Sequence, residues 1–556
     1  MASAQTGFYS DIETPLIVDD AENVAWSDVA DIVIVGFGGA GAAAAIEGLD
    51  NGASVIAVDR FAGGGATAYS GGVTYAGGTQ YQREAGYDDD AENMYAYLSQ
   101  EECPVSEQTL RRFCEGSNAD LQWLESNGVP FSGDAFLEKA TYPPEGKFLY
   151  FSGNEKTPSY KKNARPAPRG HRAVGAGFTG LVHFQSLKAS ALAKGMRLLP
   201  HAPARRLVMD RDGQVLGIEI ADIPVSAHAR HDALYAAIVP MKPFANGKYE
   251  KAIAACRDFE RGFTERKLIR AKRGVVLAAG GFVFNVEMMQ RFRPNIARVF
   301  KSFVRLGSMG CDGSGIDLGR SAGGATGLMD SFFIGRSISP PAAFLKGLLV
   351  DENGKRFLNE DAYTGFIGNA ISDLPGENKA WLVLDHPTFK AALKQCLFPG
   401  KGMYVYTLPS LMNIFLGGTR KAGTLAKLAR KCGMDPAVLE ATVAANNSAA
   451  TAGTVDEVGK GGDNQAVQNE APFHAINMDL GNPFTATLLF TLGGLQVDEA
   501  SGLVKREDGS TVAGLYAAGR TAVGLCSQAY LSGMSIADTV FSGRRAAGAI
   551  MGKNAV

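Results

Sequence analysis

The chain has 556 residues, 46% of them hydrophobic and 20% charged, enough to bury a large core spread over two or more domains. Its 55 Lys and Arg stand against 57 Asp and Glu, so there is no basic excess to neutralise phosphates and nucleic acid is excluded as the expected partner. No apolar run approaches the roughly 18 residues that cross a bilayer, and the opening "MASAQTGFYSDIETPLIVDD" lacks a basic segment followed by an apolar one; a cytoplasmic protein without a secretory signal is expected.

The 68 glycines cluster in short motifs, which suggests close backbone approach to a large ligand. The seven cysteines (103, 114, 256, 311, 396, 432 and 526) form no CxxC pair and read as passive thiols in a reducing compartment. His228 and His231 are three apart with no third ligand, so surface positions and no metal site are expected.

After a polar, acidic lead, "DIVIVGFGGAGAAAAIEGL" (31–49) predicts a buried strand, a glycine turn and a small-residue helix, and "ASVIAVDR" (53–60) a second strand. Gly36, Gly38 and Gly41 hold the GxGxxG frame, with Gly39 and Ala40 inside it. Asp59 ends the second strand, followed by Arg60. Glycines in this frame permit a tight turn and bring a pyrophosphate against helix N-terminal N–H groups, while the acid accepts from a ribose. The next stretch, "FAGGGATAYSGGVTYAGGTQ" (61–80), is a long small-residue loop where an NAD domain would proceed to a helix. It suits an extended FAD, with Ala66, Thr67, Ser70, Gly71 and Gly72 as contacts.

"TLRRFCEGSNADLQWLESNGV" (109–129) predicts a core-packing helix. "ARPAPRGHRAVGAGFTGL" (164–181) is read as folding near the flavin, with Gly175 and Gly177 beside the ring; Arg169, His171 and Arg172 have no catalytic role, and a solvated basic stretch is the alternative. "ARRLVMDRDGQVLGIEI" (204–220) carries a DG turn signal and predicts a hairpin starting at Ala204. Residues 223–270 look inserted after it, either as a solvated subdomain or as a patch touching a membrane surface or another subunit.

"RGVVLAAGGF" (273–282) and "VAGLYAAGRTAVG" (512–524) predict two more sheet strands ending in glycine, with Ala279, Gly280, Gly281, Gly519 and Arg520 at the crevice. Between them "TLAKLARKCGMDPAVLEATVAANN" (424–447) is helical by its apolar spacing. The closing "YLSGMSIADTVFSGRRAAG" joins a flavin-facing turn, with Ser535 and Ile536 donating N–H groups, to a bulky Tyr530 with Ser532 two places on.

The glycine turn, "TAYSGG", "LAAGGF", "GKRFLNED", "TLGGLQVD", "GLYAAGR" and "GRRAAG" together resemble the fumarate reductase/succinate dehydrogenase flavoprotein superfamily, which includes the 3-ketosteroid dehydrogenases. The resemblance covers nearly the whole chain. It implies an α/β fold: a Rossmann-like FAD-binding domain (28–282 and 485–556) with an inserted α+β catalytic, capping domain (283–484), non-covalent FAD, and an active site between the two.

At motif positions where fumarate reductases keep an Arg, a His and an Arg for their dicarboxylate, this chain has Thr364, Phe490 and Tyr530. Two carboxylates would be left without charged partners, so that substrate class is disfavoured. "NEDAY" followed later by "YLSG" is similar to the ketosteroid dehydrogenases that oxidise the C4–C5 bond, which implies Tyr530 as base with Ser532 and Tyr363 as support or relay. Dehydrogenases of the C1–C2 bond tend to Tyr-Pro-Gly with a later Gly, whose place Met534 takes here, its backbone N–H still on offer. C1–C2 desaturation and flavin-dependent enone reduction are the alternatives. No haem or iron–sulfur cysteine run occurs, so reduced flavin is expected to pass electrons to an external quinone- or dye-like acceptor.

Overall fold

The computed structural model describes residues 7–138, 140–238, 246–299, 302–399, 404–485, 487–528 and 530–553, with the backbone alone at 246, 405 and 406. Among these residues the fold is α/β, built on a nine-stranded sheet. Asp28–Val35 is rich in Val and Ile and its last four residues are buried, as a strand covered on both faces requires. It runs parallel to Val55–Val58 on one side and to Arg266–Leu277 on the other.

Arg266–Leu277 is long enough to take two partners along its remaining edge. Its first residues pair antiparallel with Val215–Ala221 and its last three pair parallel with Thr511–Ala517. The C-terminal part of the chain is thereby sewn into a sheet begun near the N-terminus. Gly36 leaves the first strand at φ +95°, and a Cβ there would lie 2.7 Å from the Ala278 carbonyl. Only glycine lets these two strand ends approach so closely. The Gly- and Ala-rich helix Gly39–Asp50 packs on the last helix, Met534–Ile550, within one buried cluster that includes Ala40, Ala44, Val540 and Ala547.

Smaller sheets surround the C-terminal ends of these strands. One holds Phe303–Arg305, Thr487–Thr491 and Phe332–Arg336, with Phe333 directly opposite Phe490 in the register. Another joins Val73–Tyr75, Gly170–Arg172, Leu149–Tyr150 and Ala135–Phe136. A third is formed by Leu348–Asp351, Ala380–Leu384, Phe473–Asn477 and Arg420–Ala422.

The predicted hairpin is present as Ala204–Asp210 and Val215–Ala221. The helix expected over 109–129 runs Glu107–Ser126, begun by Ser106, whose hydroxyl accepts from the Thr109 N–H. The stretch 424–447 is two helices, Leu425–Cys432 and Pro436–Ala452, because Gly433 turns left-handed at φ +78° and Pro436 restarts the chain. Of the expected insertion 223–270, residues 239–245 lie outside the described residues. Its helices Val225–Ala236 and Asn246–Arg261 dock onto the main core, with Ile238, Tyr249, Ile253 and Cys256 buried there and Glu250 and Glu260 paired with Arg305 and Arg60. Val225 is the exposed large hydrophobic among the described residues of this segment. No described helix is long and apolar enough to cross a membrane.

Candidate active site

Two cavities meet at the C-terminal ends of the main strands. The first is lined by Gly36, Gly38, Gly39, Ala40, Asp59, Arg60, Ala204, Ala279, Gly280 and Gly519. The second, of about 420 Å³, is lined by Ser70, Gly71, Gly72, Ser535 and Ile536 together with Tyr363, Tyr530 and Ser532. Ala66, Thr67 and Arg520 line both, so the two form one elongated cleft. Three of the predicted contacts lie elsewhere. Gly41 packs helix on strand, since a Cβ there would meet the Gly36 carbonyl at 2.1 Å, and a Cβ on Gly281 would lie 2.3 Å from the Thr491 hydroxyl. Gly177 is exposed, its carbonyl accepting from Arg172 and Tyr142 and its N–H donating to Glu145.

The lining suits an extended dinucleotide. Helices Gly39–Asp50 and Met534–Ile550 each follow a glycine that has no side chain to cap them, and their N-termini lie one at each cavity; the Gly39 N–H is taken by the Thr67 hydroxyl, and N–H groups further along the first turns are placed to meet a ligand. Gly533, at φ +98°, would put a Cβ 2.9 Å from the Tyr75 nitrogen, which makes it a cradle that a side chain would fill. Both Asp59 oxygens are engaged by backbone, accepting from Phe37 N–H at 2.7 Å and Phe61 N–H at 2.8 Å, and burial raises its pKa. Arg60 donates to Glu260 and to Asp312, each at 2.7 Å, so its charge is neutralised within the protein.

In the wider cavity the cross-strand pair Phe333 and Phe490 stacks with ring centroids 4.7 Å apart. The Tyr530 ring stands edge-on to both, 4.9 Å from each, and 6.4 Å from the Tyr363 ring. Burial holds the Tyr530 and Tyr363 phenols well above the ordinary tyrosine range, although the Arg520 guanidinium favours ionised Tyr530. Both are therefore neutral at pH 7. The Ser532 hydroxyl lies 2.8 Å from that of Tyr150 and also meets Tyr363, whose backbone N–H donates to the Asn154 side chain at 2.6 Å. Among the described lining residues of this cavity, Arg520 is the one that carries a charge.

Tyr150 was not found by sequence reasoning. It sits in "KFLYFSGN", which bears no motif, and reaches Ser532 only because Leu149–Tyr150 pairs with Gly170–Arg172 and that strand with Val73–Tyr75, beside Gly533. Phe333 was also missed; the register with Phe490 brings it to the site.

Three expectations change. Arg169, His171 and Arg172 line neither cavity and are not solvated: Arg169 makes a buried bidentate pair with Asp89, His171 contacts the Thr79 hydroxyl, and Arg172 donates to backbone carbonyls. Gly175 also lies outside both cavities. His231 is buried, 3.0 Å from both His201 and Glu260, instead of on the surface. His231, Cys256 and Glu260 converge within 4.8 Å, but the Arg60 guanidinium on Glu260, with Arg205 3.7 Å away, opposes a cation there. The Met534 N–H donates to the Leu531 carbonyl at 3.1 Å, so it is not free for a ketone oxygen.

The family model described as "FAD binding domain" matches residues 31–536. The chain is 36% identical to a 3-oxo-5-alpha-steroid 4-dehydrogenase of Comamonas testosteroni over 91% of this chain and 95% of that protein. It is 26% identical to a 3-oxosteroid 1-dehydrogenase of Mycobacterium tuberculosis over 90% of this chain and 94% of that one. Among solved structures, the 3-ketosteroid-delta4-(5alpha)-dehydrogenase of Rhodococcus jostii RHA1, in complex with 4-androstene-3,17-dione, matches with a TM-score of 0.78 at 28% identity, covering 97% of this chain and 100% of that one.

Proposed function

The chain belongs to the FAD-binding domain family of flavoproteins, and on that footing we propose that it dehydrogenates 3-ketosteroids at the C4–C5 bond. One observation carries this reading: the cavity beside the cofactor cleft is walled by Phe333, Phe490, Leu306, Ile338, Phe344 and Leu488 and holds tyrosine and serine hydroxyls, with Arg520, shared with the cofactor cleft, as the one cation among its described lining residues, too few for two carboxylates. Such a site takes a large neutral ketone and rejects a dicarboxylate. Residues 28–282 and 485–556 act as the cofactor-binding unit, with 283–484 closing over it.

Tyr530 takes the C4 proton, which the neighbouring ketone acidifies. Held as a neutral phenol by its aromatic box, it is a weak base alone and must give up its own proton as it accepts one. Tyr363, Ser532 and Tyr150 supply the hydroxyls that accept and pass that proton on. The apolar walls exclude water and align the steroid rings. The chemistry that FAD supplies when bound is acceptance of the hydride leaving C5, after which an external quinone- or dye-like acceptor takes the electrons.

C1–C2 desaturation is weakened because the Met534 N–H that would hold a ketone is spent on Leu531. The test is turnover of a 5α-saturated 3-ketosteroid with a dye acceptor, the new double bond located by NMR. A C4–C5 product supports the reading; a C1–C2 product, or no turnover by flavin-loaded protein, overturns it.

A further inference from the structure

Six of the fifteen exposed large hydrophobics among the described residues fall within twenty residues: Leu397, Phe398, Tyr404, Leu408, Phe415 and Leu416, each 47 to 75% exposed. They belong to the end of helix His386–Leu397, the residue after it, and helix Tyr404–Leu416. Tyr404, Leu408 and Phe415 follow i, i+4, i+11 spacing and so form one stripe. The opposite side of the same helix offers Pro409, Ser410 and Asn413 to the wider cavity. One helix therefore separates the substrate cavity from an apolar outer surface.

The segment that carries this patch has charge of one sign, and Glu377 and Asp479 beside Leu416 are accompanied by Lys379 and Arg298. From 386 to 434 the sequence holds eight Lys and Arg and no Asp or Glu, in a chain that is otherwise nearly balanced. Lys390 and Lys394 on the first helix, and Arg420 and Lys421 just beyond the second, are exposed and enter no ion pair among the described residues. An apolar stripe rimmed by unpaired cations fits the interface of a bilayer that carries anionic lipids. A second copy would need acidic groups to match Lys390, Lys394, Arg420 and Lys421, and the segment 386–434 offers none, while Glu377 at its edge is already paired with Lys379.

We propose that the Leu397–Leu416 face docks on an anionic lipid surface, so that an apolar substrate dissolved in the bilayer reaches the cavity past the Tyr404–Leu416 helix. This locates membrane contact away from the described part of 223–270, where Val225 is the one exposed large hydrophobic among the described residues. The substrate-access clause rests on the steroid reading; the docking itself does not.

The test is flotation of the flavin-loaded protein with vesicles of mixed phosphatidylglycerol and phosphatidylcholine, and of phosphatidylcholine alone, with no steroid present. Binding to the anionic vesicles is expected, weakened at roughly 1 M salt, where the screening length is about 3 Å. The pair Leu408→Ser with Phe415→Ser should lower it at least tenfold, and Lys394→Glu with Arg420→Glu should lower it severalfold. All variants should keep wild-type flavin content and turnover of detergent-dispersed ketosteroid. Absence of wild-type binding, or equal binding by the double-serine variant, overturns the proposal. So does a solution dimer that the serine pair dissociates in the absence of vesicle binding, which would make the occupant a second copy. Failure of detergent-phase turnover with intact flotation would instead sink the steroid reading.

Discussion

The Tyr150 hydroxyl lies 2.8 Å from that of Ser532, tying strand Leu149–Tyr150 to the turn that starts the last helix. The two residues are 382 apart in sequence, and the contact continues a hydroxyl cluster that includes Tyr363. A proton leaving a buried phenol needs such an acceptor, because ionising Tyr530 alone would strand a charge in an apolar box.

Ser532→Ala and Tyr150→Phe should each lower kcat about tenfold, equivalent to ~1.4 kcal/mol of barrier. The double variant should fall little further, since both remove the same link. Flavin content and KM should be unchanged. Additive losses in rapid-kinetic measurements would argue that the two hydroxyls act separately.

Tyr530→Phe keeps the ring that packs edge-on against Phe333 and Phe490 and removes only the hydroxyl. Turnover should fall by about 10²–10⁴, the usual worth of a positioned acid–base group. Flavin absorbance per protein and thermal stability should stay at wild-type values. Retained activity would remove this residue as the base.

Gly533→Ala places a side chain 2.9 Å from the Tyr75 nitrogen at a positive φ. The strain, on the order of 1–3 kcal/mol, falls where the last helix points its N–H groups at the cleft. Lower flavin occupancy on purification and a lower melting temperature are expected, both read from one absorbance-monitored melt. Unchanged occupancy would show that this turn does not hold the cofactor.

His183, in helix Gly180–Ala193, is fully buried with neither ring nitrogen partnered, and burial lowers its pKa from 6.5 to about 4. The folded state then binds fewer protons than the unfolded chain between those values. Its contribution is complete above pH 6.5 and is lost as pH falls through about 4. Denaturant titrations from pH 7 to pH 4 should show His183→Leu losing less stability than wild type, by up to about 3 kcal/mol. Parallel curves would mean that His183 does not charge on unfolding.

What local sequence could specify was specified by backbone requirements. Gly36, Gly38 and the strand ahead of them, the loop with Ser70 to Gly72, and the glycines at 280 and 519 announce a cofactor crevice because a close-approached ligand demands small residues at fixed spacing. The Tyr530 and Ser532 pair was legible for the same reason: it departs from a motif whose other positions are constrained. Arg169 and His171 show the limit. The glycine-rich stretch that holds them reads as lying near the flavin, or else as solvated, but strand pairing turns them into a buried network with Asp89 and Thr79.

Tertiary structure alone decided the rest. Tyr150 meets Ser532, and Phe333 stacks on Phe490, through strand pairings between distant segments, which leave no periodic trace in sequence. Composition places an apolar patch with Lys and Arg at 223–270, but composition does not say which face is buried. Packing docks the described helices of that segment onto the main core and leaves Leu408 and Phe415 uncovered, because the inner side of their helix is already committed to the cavity.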